Sequence, residues 1–527
     1  MKTIMESVYK DIQAYDPTLT KQMVDEIIQV SFVKRGQAVI LCKQAPAGFG
    51  KTTLAIRLLV LRLYEKGIRL VFFLGPQLTN IEDSTIRKHL MELGSQGFKD
   101  GIQIGYHINA KWENLNDYID ESEMNDGMIV LTMTDTSFRK DVKGDSTAYQ
   151  EMLKVIKKRG FEDKTFVIAD EGDVGSCSQD LLMRWTNGVK PKRPVGFKGK
   201  KYKALKAFSE VVSGVLDLTA TLTSEQNGTI KESPAMKKAI AEEDYEITSK
   251  YEVIGVQPPK ESLYFRLAGL LNIKYFERPE LGALNVVIPE IIDTMSDTLT
   301  DQSRQDELAI RHNLPDVCNP KRVGLFKLEG TYLDKPKVTA SRVYEELLDY
   351  TFPKHWDFEL FFLCDDTRIC FKVKDGEMEK IEDRFNNDSH AFMALRDKDD
   401  SLRFIFAIDK VARGADIPNI YDIMTPREYG MFNPDELAVV QTGVQFILRA
   451  IRIKVKIEDL LPYFDNAGEF KEYYRLVNGY NVKLPIVKGK DKSYWEGVID
   501  YIQANYNSMS DIMEHCKEIE ADYERNN

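Results

Sequence analysis

The stretch Ala45-Pro-Ala-Gly-Phe-Gly-Lys51-Thr52-Thr53 decides how the rest of the chain is read. A short apolar run, Ala38 to Cys42, precedes it, and an amphipathic helical pattern, Thr52 to Tyr64, follows it. Strand, glycine-bearing loop and helix, in that order, are the context in which a Gly-Lys-Thr ending cradles phosphate. Gly48 and Gly50, with Ala47 and Phe49 beside them, let successive backbone N–H groups turn inward around phosphate oxygens. Lys51 is placed to meet the β- and γ-phosphates, and Thr52 to give a hydroxyl to Mg²⁺. Thr53 continues the helix start, whose dipole favours the anion. Ala45 stands where this motif usually has glycine, a small-for-small change that fits. ATP and Mg²⁺ are therefore the expected ligands.

A second signal lies in Thr165-Phe-Val-Ile-Ala-Asp170-Glu171-Gly172-Asp173, an apolar strand ending in carboxylates. Beside a phosphate loop, such a strand end delivers an aspartate to the magnesium shell, and a neighbouring glutamate polarises the attacking water. Asp170 is expected in the first role and Glu171, as general base, in the second.

Composition limits what surrounds these motifs. The 527 residues are 43% apolar and 29% charged, enough for packed cores and unlike a disordered or fibrous chain. Lys plus Arg number 72 against 83 Asp plus Glu, a formal charge of −11. That argues against coating nucleic acid through bulk positive charge and leaves room for a local basic groove. The six cysteines form no CxxC pair and the six histidines no HExxH, so a disulfide framework and a zinc ribbon are not expected. No apolar run approaches the ~20 residues of a membrane span. The expectation is a soluble, intracellular protein with no membrane partner.

Short apolar runs alternate with helical stretches, the pattern of parallel sheets flanked by helices. The strands expected in the first half are Ala38 to Cys42, Leu70 to Leu74, Met128 to Thr132, Thr165 to Ala169 and Gly214 to Leu218. The second half offers Val323 to Phe326, Glu359 to Cys364, Arg403 to Ile408 and Tyr421 to Met424. Prolines accumulate between the two sets. The resulting division is a first α/β core over 1–230, a linker or insertion over 231–319, a second core over 320–456 and a mainly helical, aromatic-rich accessory region over 457–527.

Asp170-Glu-Gly-Asp173 resembles the DEAD/DEAH box of superfamily 2 helicases, and Thr219-Ala220-Thr221 resembles their Ser-Ala-Thr motif. Val71 to Thr79, with Pro76, is similar to motif Ia, and Ile129 to Thr134, with Thr132, to the later threonine motif of the first domain. Ala407 to Pro418, with Arg413, Gly414 and Asp416, closely resembles motif V, and Gln445-Phe-Ile-Leu-Arg449-Ala-Ile-Arg452 resembles motif VI. The resemblance implies two tandem RecA-like domains with ATP hydrolysed between them, as in a viral or phage-type replication or recombination helicase. It implies that Arg449 and Arg452 address the transferring phosphate with Gln445 in support, and that Gln22 reads adenine. Asp416 would reach the ribose, and Asp173, Thr219 and Thr221 would couple the domains. Pro76, Thr79, Thr132, Thr134, Arg413 and Gly414 would touch the nucleic-acid backbone. Ile408 and Leu448 depart from the family pattern, standing for a phosphate-binding threonine and a glycine.

The run Lys190 to Lys203 has seven cations and no acid, interleaved with Phe197 and Tyr202. Lys198, Lys200, Lys201 and Lys203 are expected to neutralise phosphates there. The functional expectation is an ATP-dependent helicase or translocase acting on a single strand or fork. DNA is favoured over RNA because DEGD departs from the strict DEAD box. The alternatives are an origin- or site-binding helicase, or a translocating or clamping ATPase that does not unwind. Residues 231–319 and the C-terminus are where protein partners would bind.

Overall fold

A computed structural model describes residues 2–15, 24–25, 40–44, 51–75, 84–99, 101–142, 146–170, 200–219, 251–255, 271–277, 284–328, 340–364, 367–381, 401–407, 417, 419–426, 443, 446–447, 454–455, 457–486 and 494–506. The chain divides into two compact units, Met1–Pro259 with Asp435–Thr442 and Lys260–Pro434 with Gly443–Asn527.

The first unit is built on a parallel sheet of seven strands: β1 (Ile40–Gln44), β2 (Leu70–Gly75), β3 (Ile104–His107), β4 (Met128–Thr134), β5 (Thr165–Asp170), β6 (Gly214–Thr219) and β7 (Tyr251–Gly255). Their order across the sheet is β3-β4-β2-β5-β6-β1-β7. Strand β2 illustrates why the sheet is covered on both sides. All six of its residues are buried, with Val71 and Phe73 in one apolar cluster and Leu70, Phe72 and Leu74 in another. Side chains that alternate faces and are apolar at every position require helices on both. α1 (Lys2–Tyr15), α2 (51–65) and α3 (Ser84–Lys99) cover the first face. α4 (Leu115–Met124), α5 (Ala148–Arg159) and α6 (Lys200–Ser209) cover the second.

The second unit carries eight strands: β8 (Leu271–Glu277), β9 (Val323–Lys327), β10 (Phe358–Cys364), β11 (Thr367–Lys374), β12 (Glu377–Ile381), β13 (Arg403–Ala407), β14 (Ile420–Met424) and β15 (Tyr480–Ile486). Their order is β8-β15-β14-β9-β13-β10-β11-β12. The pairings from β8 to β10 are parallel, and the hairpin β11–β12 extends the sheet antiparallel. Phe326, Phe406 and Phe362 stack in succession at 4.6 and 4.8 Å on one face. Against that face pack Val287, Ile291 and Met295 of α7 (Leu284–Arg311) and Val343 and Leu347 of α8 (Ala340–Leu348). α9 (Ala467–Asn478) and α10 (Tyr494–Tyr506) follow.

All nine expected strands are present, most with ends moved by a residue or two. The division of the chain differs. Residues 231–319 contribute β7 to the first sheet, and β8 and the 28-residue α7 to the second unit. The C-terminal stretch contributes β15, paired on one side with β8 and on the other with β14. In the two large sheets the six strands without a sequence expectation are the outermost (β3, β7, β8, β12) or next to outermost (β11, β15), and in β12 exposed polar residues dilute the apolar pattern.

Candidate nucleotide site

The site begins at the carboxyl ends of β1, β5 and β6. In register, Gln44 of β1 stands opposite Thr219 of β6, and Asp170 of β5 opposite Leu218. A parallel sheet offers its ligand crevice at these strand ends. Helix α2 starts there at Lys51. Its Thr52 hydroxyl donates to Asp170 Oδ2 at 2.6 Å, across 118 positions of sequence. Lys51, Thr52, Thr53 and Asp170 are all half-buried, at the rim of the core and within reach of a ligand.

Helix α2 has an unusual interior. Residues Ala55–Leu59 form a π-helical turn between the α-helical ends Lys51–Leu54 and Val60–Glu65. The sequence pattern suggests one apolar stripe, whereas Leu54, Ala55, Ile56, Leu58, Leu59, Val60, Leu61 and Leu63 are all buried. The outer side is covered because Met5, Val8 and Tyr9 of α1 and Ile86, Leu90 and Leu93 of α3 join the same cluster. Tyr9 donates to Asp25, which also accepts from Arg62 of α2 at 3.2 Å, so the N-terminal segment is tied to the phosphate-loop helix. Burial and the hydrogen bond to Asp25 push the Tyr9 hydroxyl up to about 12.

Thr132 and Thr134 lie at the end of β4. Thr132 is fully buried; its hydroxyl accepts from Asn109 N at 3.0 Å and lies 3.4 Å from the His107 carbonyl, to which it donates. It braces the turn after β3 rather than facing solvent. Thr134 caps the short helix Asp135–Phe138, accepting from Ser137 N at 3.0 Å. Thr219 is fully buried at the end of β6. Lys200, Lys201 and Lys203 belong to the first turn of α6 rather than to a loop, and Ala204, Leu205 and Phe208 of that helix enter the core.

Gln22, Ala47, Gly48, Phe49, Gly50, Pro76, Thr79, Glu171, Asp173, Lys198, Thr221, Arg413, Gly414, Asp416, Gln445, Arg449 and Arg452 lie outside the described residues. Inside the motif VI segment, Phe446 and Ile447 are buried, with Lys327 over the Phe446 ring at 5.5 Å and Trp495 at 6.2 Å. Gly443 N donates to Tyr494 Oη at 3.0 Å, and a Cβ on Gly443 would stand 2.6 Å from that oxygen. Helix α10 thus approaches the backbone at Gly443 so closely that a Cβ there would force a neighbour to shift. Sequence reading had no signal for that contact, nor for His89 of α3, whose imidazole reaches Thr53.

The hydroxyl of Thr52 and the carboxylate of Asp170 are hard oxygen donors of the kind magnesium selects, and they already touch. The residues present therefore fit Mg²⁺.

No protein-family model matches the sequence, and no curated protein matches it. Solved structures do resemble it. Mss116p bound to single-stranded RNA and AMP-PNP is 11% identical over 93% of this chain and 76% of that one, with a TM-score of 0.46. The DEAD-box helicase Mss116 bound to single-stranded RNA and UDP-BeF is 11% identical over 90% and 70%, at 0.38. The DExH-box NTPase HrpB of E. coli is 12% identical over 86% of this chain and 39% of HrpB, at 0.35. The parallel seven-stranded sheet and the mixed eight-stranded sheet, each packed against helices, are consistent with the expected tandem RecA-like cores. Among the described residues, no helix is long and apolar enough to cross a membrane.

Proposed function

We propose that the chain is a superfamily 2 motor, an ATPase stimulated by nucleic acid that moves along or unwinds its strand, with DNA favoured over RNA. The observation that carries this reading is the 2.6 Å contact between Thr52 and Asp170 at the carboxyl ends of β1 and β5. Two side chains so far apart in sequence meet where a phosphate loop and an acidic strand end serve one nucleotide.

Residues 47–53 hold the phosphates through backbone N–H groups and the Lys51 ammonium. Thr52 and Asp170 are the residues that would hold Mg²⁺, which when bound neutralises charge between the β- and γ-phosphates. Glu171 takes the proton of the attacking water. Arg449 and Arg452, supported by Gln445, offset the charge that builds on the transferring phosphoryl group. Gln22 reads adenine and Asp416 the ribose. Pro76, Thr79, Thr134, Arg413 and Gly414 hold the strand, and Lys198, Lys200, Lys201 and Lys203 add phosphate contacts. Asp173, Thr219 and Thr221 link the nucleotide state to the grip on the strand. The roles follow the resemblance residue by residue; the domain limits are read as one core per compact unit.

ATPase rate measured against single-stranded DNA, duplex, forked DNA and RNA tests the reading. Stimulation is expected, strongest with single-stranded or forked DNA, and Glu171→Gln is expected to lower kcat by about 10²-fold or more. If no nucleic acid stimulates hydrolysis, the motor assignment fails. Hydrolysis with strand displacement identifies a helicase, and hydrolysis without it a translocating clamp.

A further inference from the structure

The sequence motif ends at Thr53, yet a side chain from another helix reaches that residue. His89 Nε2 on α3 lies 3.3 Å from Thr53 Oγ1 on α2. The imidazole is only 14% exposed, so the contact is shielded from water. Its Nδ1 is buried and has no hydrogen-bond partner among the described residues, with Glu92 Oε2 3.6 Å away. Burial holds the imidazole below its ordinary pKa, and the charge of Arg57 on α2 acts in the same direction. A neutral imidazole has one N–H and one lone pair, so the Thr53 contact is a neutral hydrogen bond.

A threonine in a helix divides between two χ1 rotamers, because its hydroxyl can turn back to a carbonyl of the preceding turn. A hydrogen bond from outside the helix selects between them. The neighbourhood is also irregular in a way that accompanies function. The π-helical turn Ala55–Leu59 starts two residues after Thr53, α3 packs against it, and such turns concentrate at functional sites.

We infer that His89 is a positioning residue for nucleotide binding, setting the Thr53 hydroxyl at the base of the phosphate loop and thereby the affinity for ATP. The inference rests on reading residues 47–53 as that loop. The side chain does no chemistry itself. Its effect falls on binding, because an interaction present in ground and transition states alike changes KM and leaves kcat.

The test is equilibrium binding of N-methylanthraniloyl-ATP with Mg²⁺ to the full chain, together with KM and kcat for ATP hydrolysis. His89→Leu is expected to weaken binding and raise KM about three- to tenfold, the range for one shielded neutral hydrogen bond, with kcat little changed. His89→Gln, which carries an N–H donor near the Nε2 position, is expected to bind like the wild type. Thr53→Val should lose as much as His89→Leu, and the double variant no more than either. Wild-type binding by His89→Leu, or additive losses in the double variant, would overturn the inference. If His89→Leu does not fold, His89→Gln and Thr53→Val decide: a loss confined to Thr53→Val supports it, and a loss in His89→Gln, or none in Thr53→Val, rejects it. Lys51→Ala separates the two levels. Abolished binding in Lys51→Ala with unchanged binding in His89→Leu rejects only the role of His89. Unimpaired binding in Lys51→Ala rejects the phosphate-loop reading and this inference with it.

Discussion

A charged side chain removed from water must find its partners inside the fold, and Arg322 shows how strictly. Its side chain is 2% exposed, with Nη1 3.3 Å from Asp301 and 3.6 Å from Asp422, and Asp422 is itself buried. Nη2 donates to the Leu476 carbonyl at 2.6 Å, and the guanidinium lies over the Tyr421 ring. Asn481 donates to Asp422 at 2.8 Å, so strand β15 is bound into the same group. Removing one partner of a buried pair strands the other charge, at about 3–5 kcal/mol. Arg322→Met is therefore expected to lower unfolding stability by about that much in urea titration, and adding Asp422→Leu to recover most of it. A loss under about 1 kcal/mol for the single substitution would show that water reaches the carboxylate. This group was invisible in the sequence, because its members come from α7, α9, β14, β15 and the residue before β9 and share no local spacing.

At the scale of elements, α7 and α9 meet through charges rather than through apolar contact alone. Arg304 donates to both carboxylate oxygens of Glu472, at 2.7 and 3.0 Å. Glu469 accepts from His312 at 2.8 Å and from Arg311. The His312 hydrogen bond, then Arg311, hold the Glu469 carboxyl below its ordinary value of 4.5, and Arg304 does the same for Glu472. A carboxylate with a depressed pKa contributes stability that is present above its unfolded value and is lost as pH falls through the folded one. The melting temperature of the wild type is expected to exceed that of Arg304→Gln near neutrality, with the gap closing as pH drops below 4.5. A gap that stays constant with pH would mean that the seam is held by packing. The stretch 231–319 reads as a linker or insertion, so α7, with Pro289 inside it, had no expectation, whereas α9 lies in a stretch read as mainly helical, and nothing in either marks the other as its partner.

For the molecule as a whole, the place of β15 matters most. The C-terminal region reads as a mainly helical accessory, but its strand lies between β8 and β14. A chain ending at residue 456 would leave those two strands with unpaired N–H and C=O groups on facing edges, a template for aggregation. Such a chain is expected to be recovered insoluble, or to elute as large aggregates in size-exclusion chromatography. A monodisperse, folded product would contradict the role given to β15. The formal charge of −11 takes on a narrower meaning at this scale. It restricts any hold on a polyanion to local clusters such as the start of α6, and makes that hold sensitive to salt.

Sequence alone carries the signals that are local. The proposed phosphate loop spans nine residues, and the roles proposed for its glycines, lysine and threonines need only their own backbone and the helix that follows. The nine apolar runs became strands because continuous apolar runs of that length are covered on both faces in any parallel sheet. The pairing of Thr52 with Asp170 was expected from their motifs, but the tertiary structure alone decided which groups without a shared motif meet: Thr53 with His89, and Arg322 with Asp422. It also decided that residues 480–486 are a strand. Pro485 argues against a central strand by its missing N–H, but it lies beyond Asn481–Lys483, the part that pairs with β14. That permission exists only once the neighbouring strands have set their register, which no stretch of sequence carries by itself.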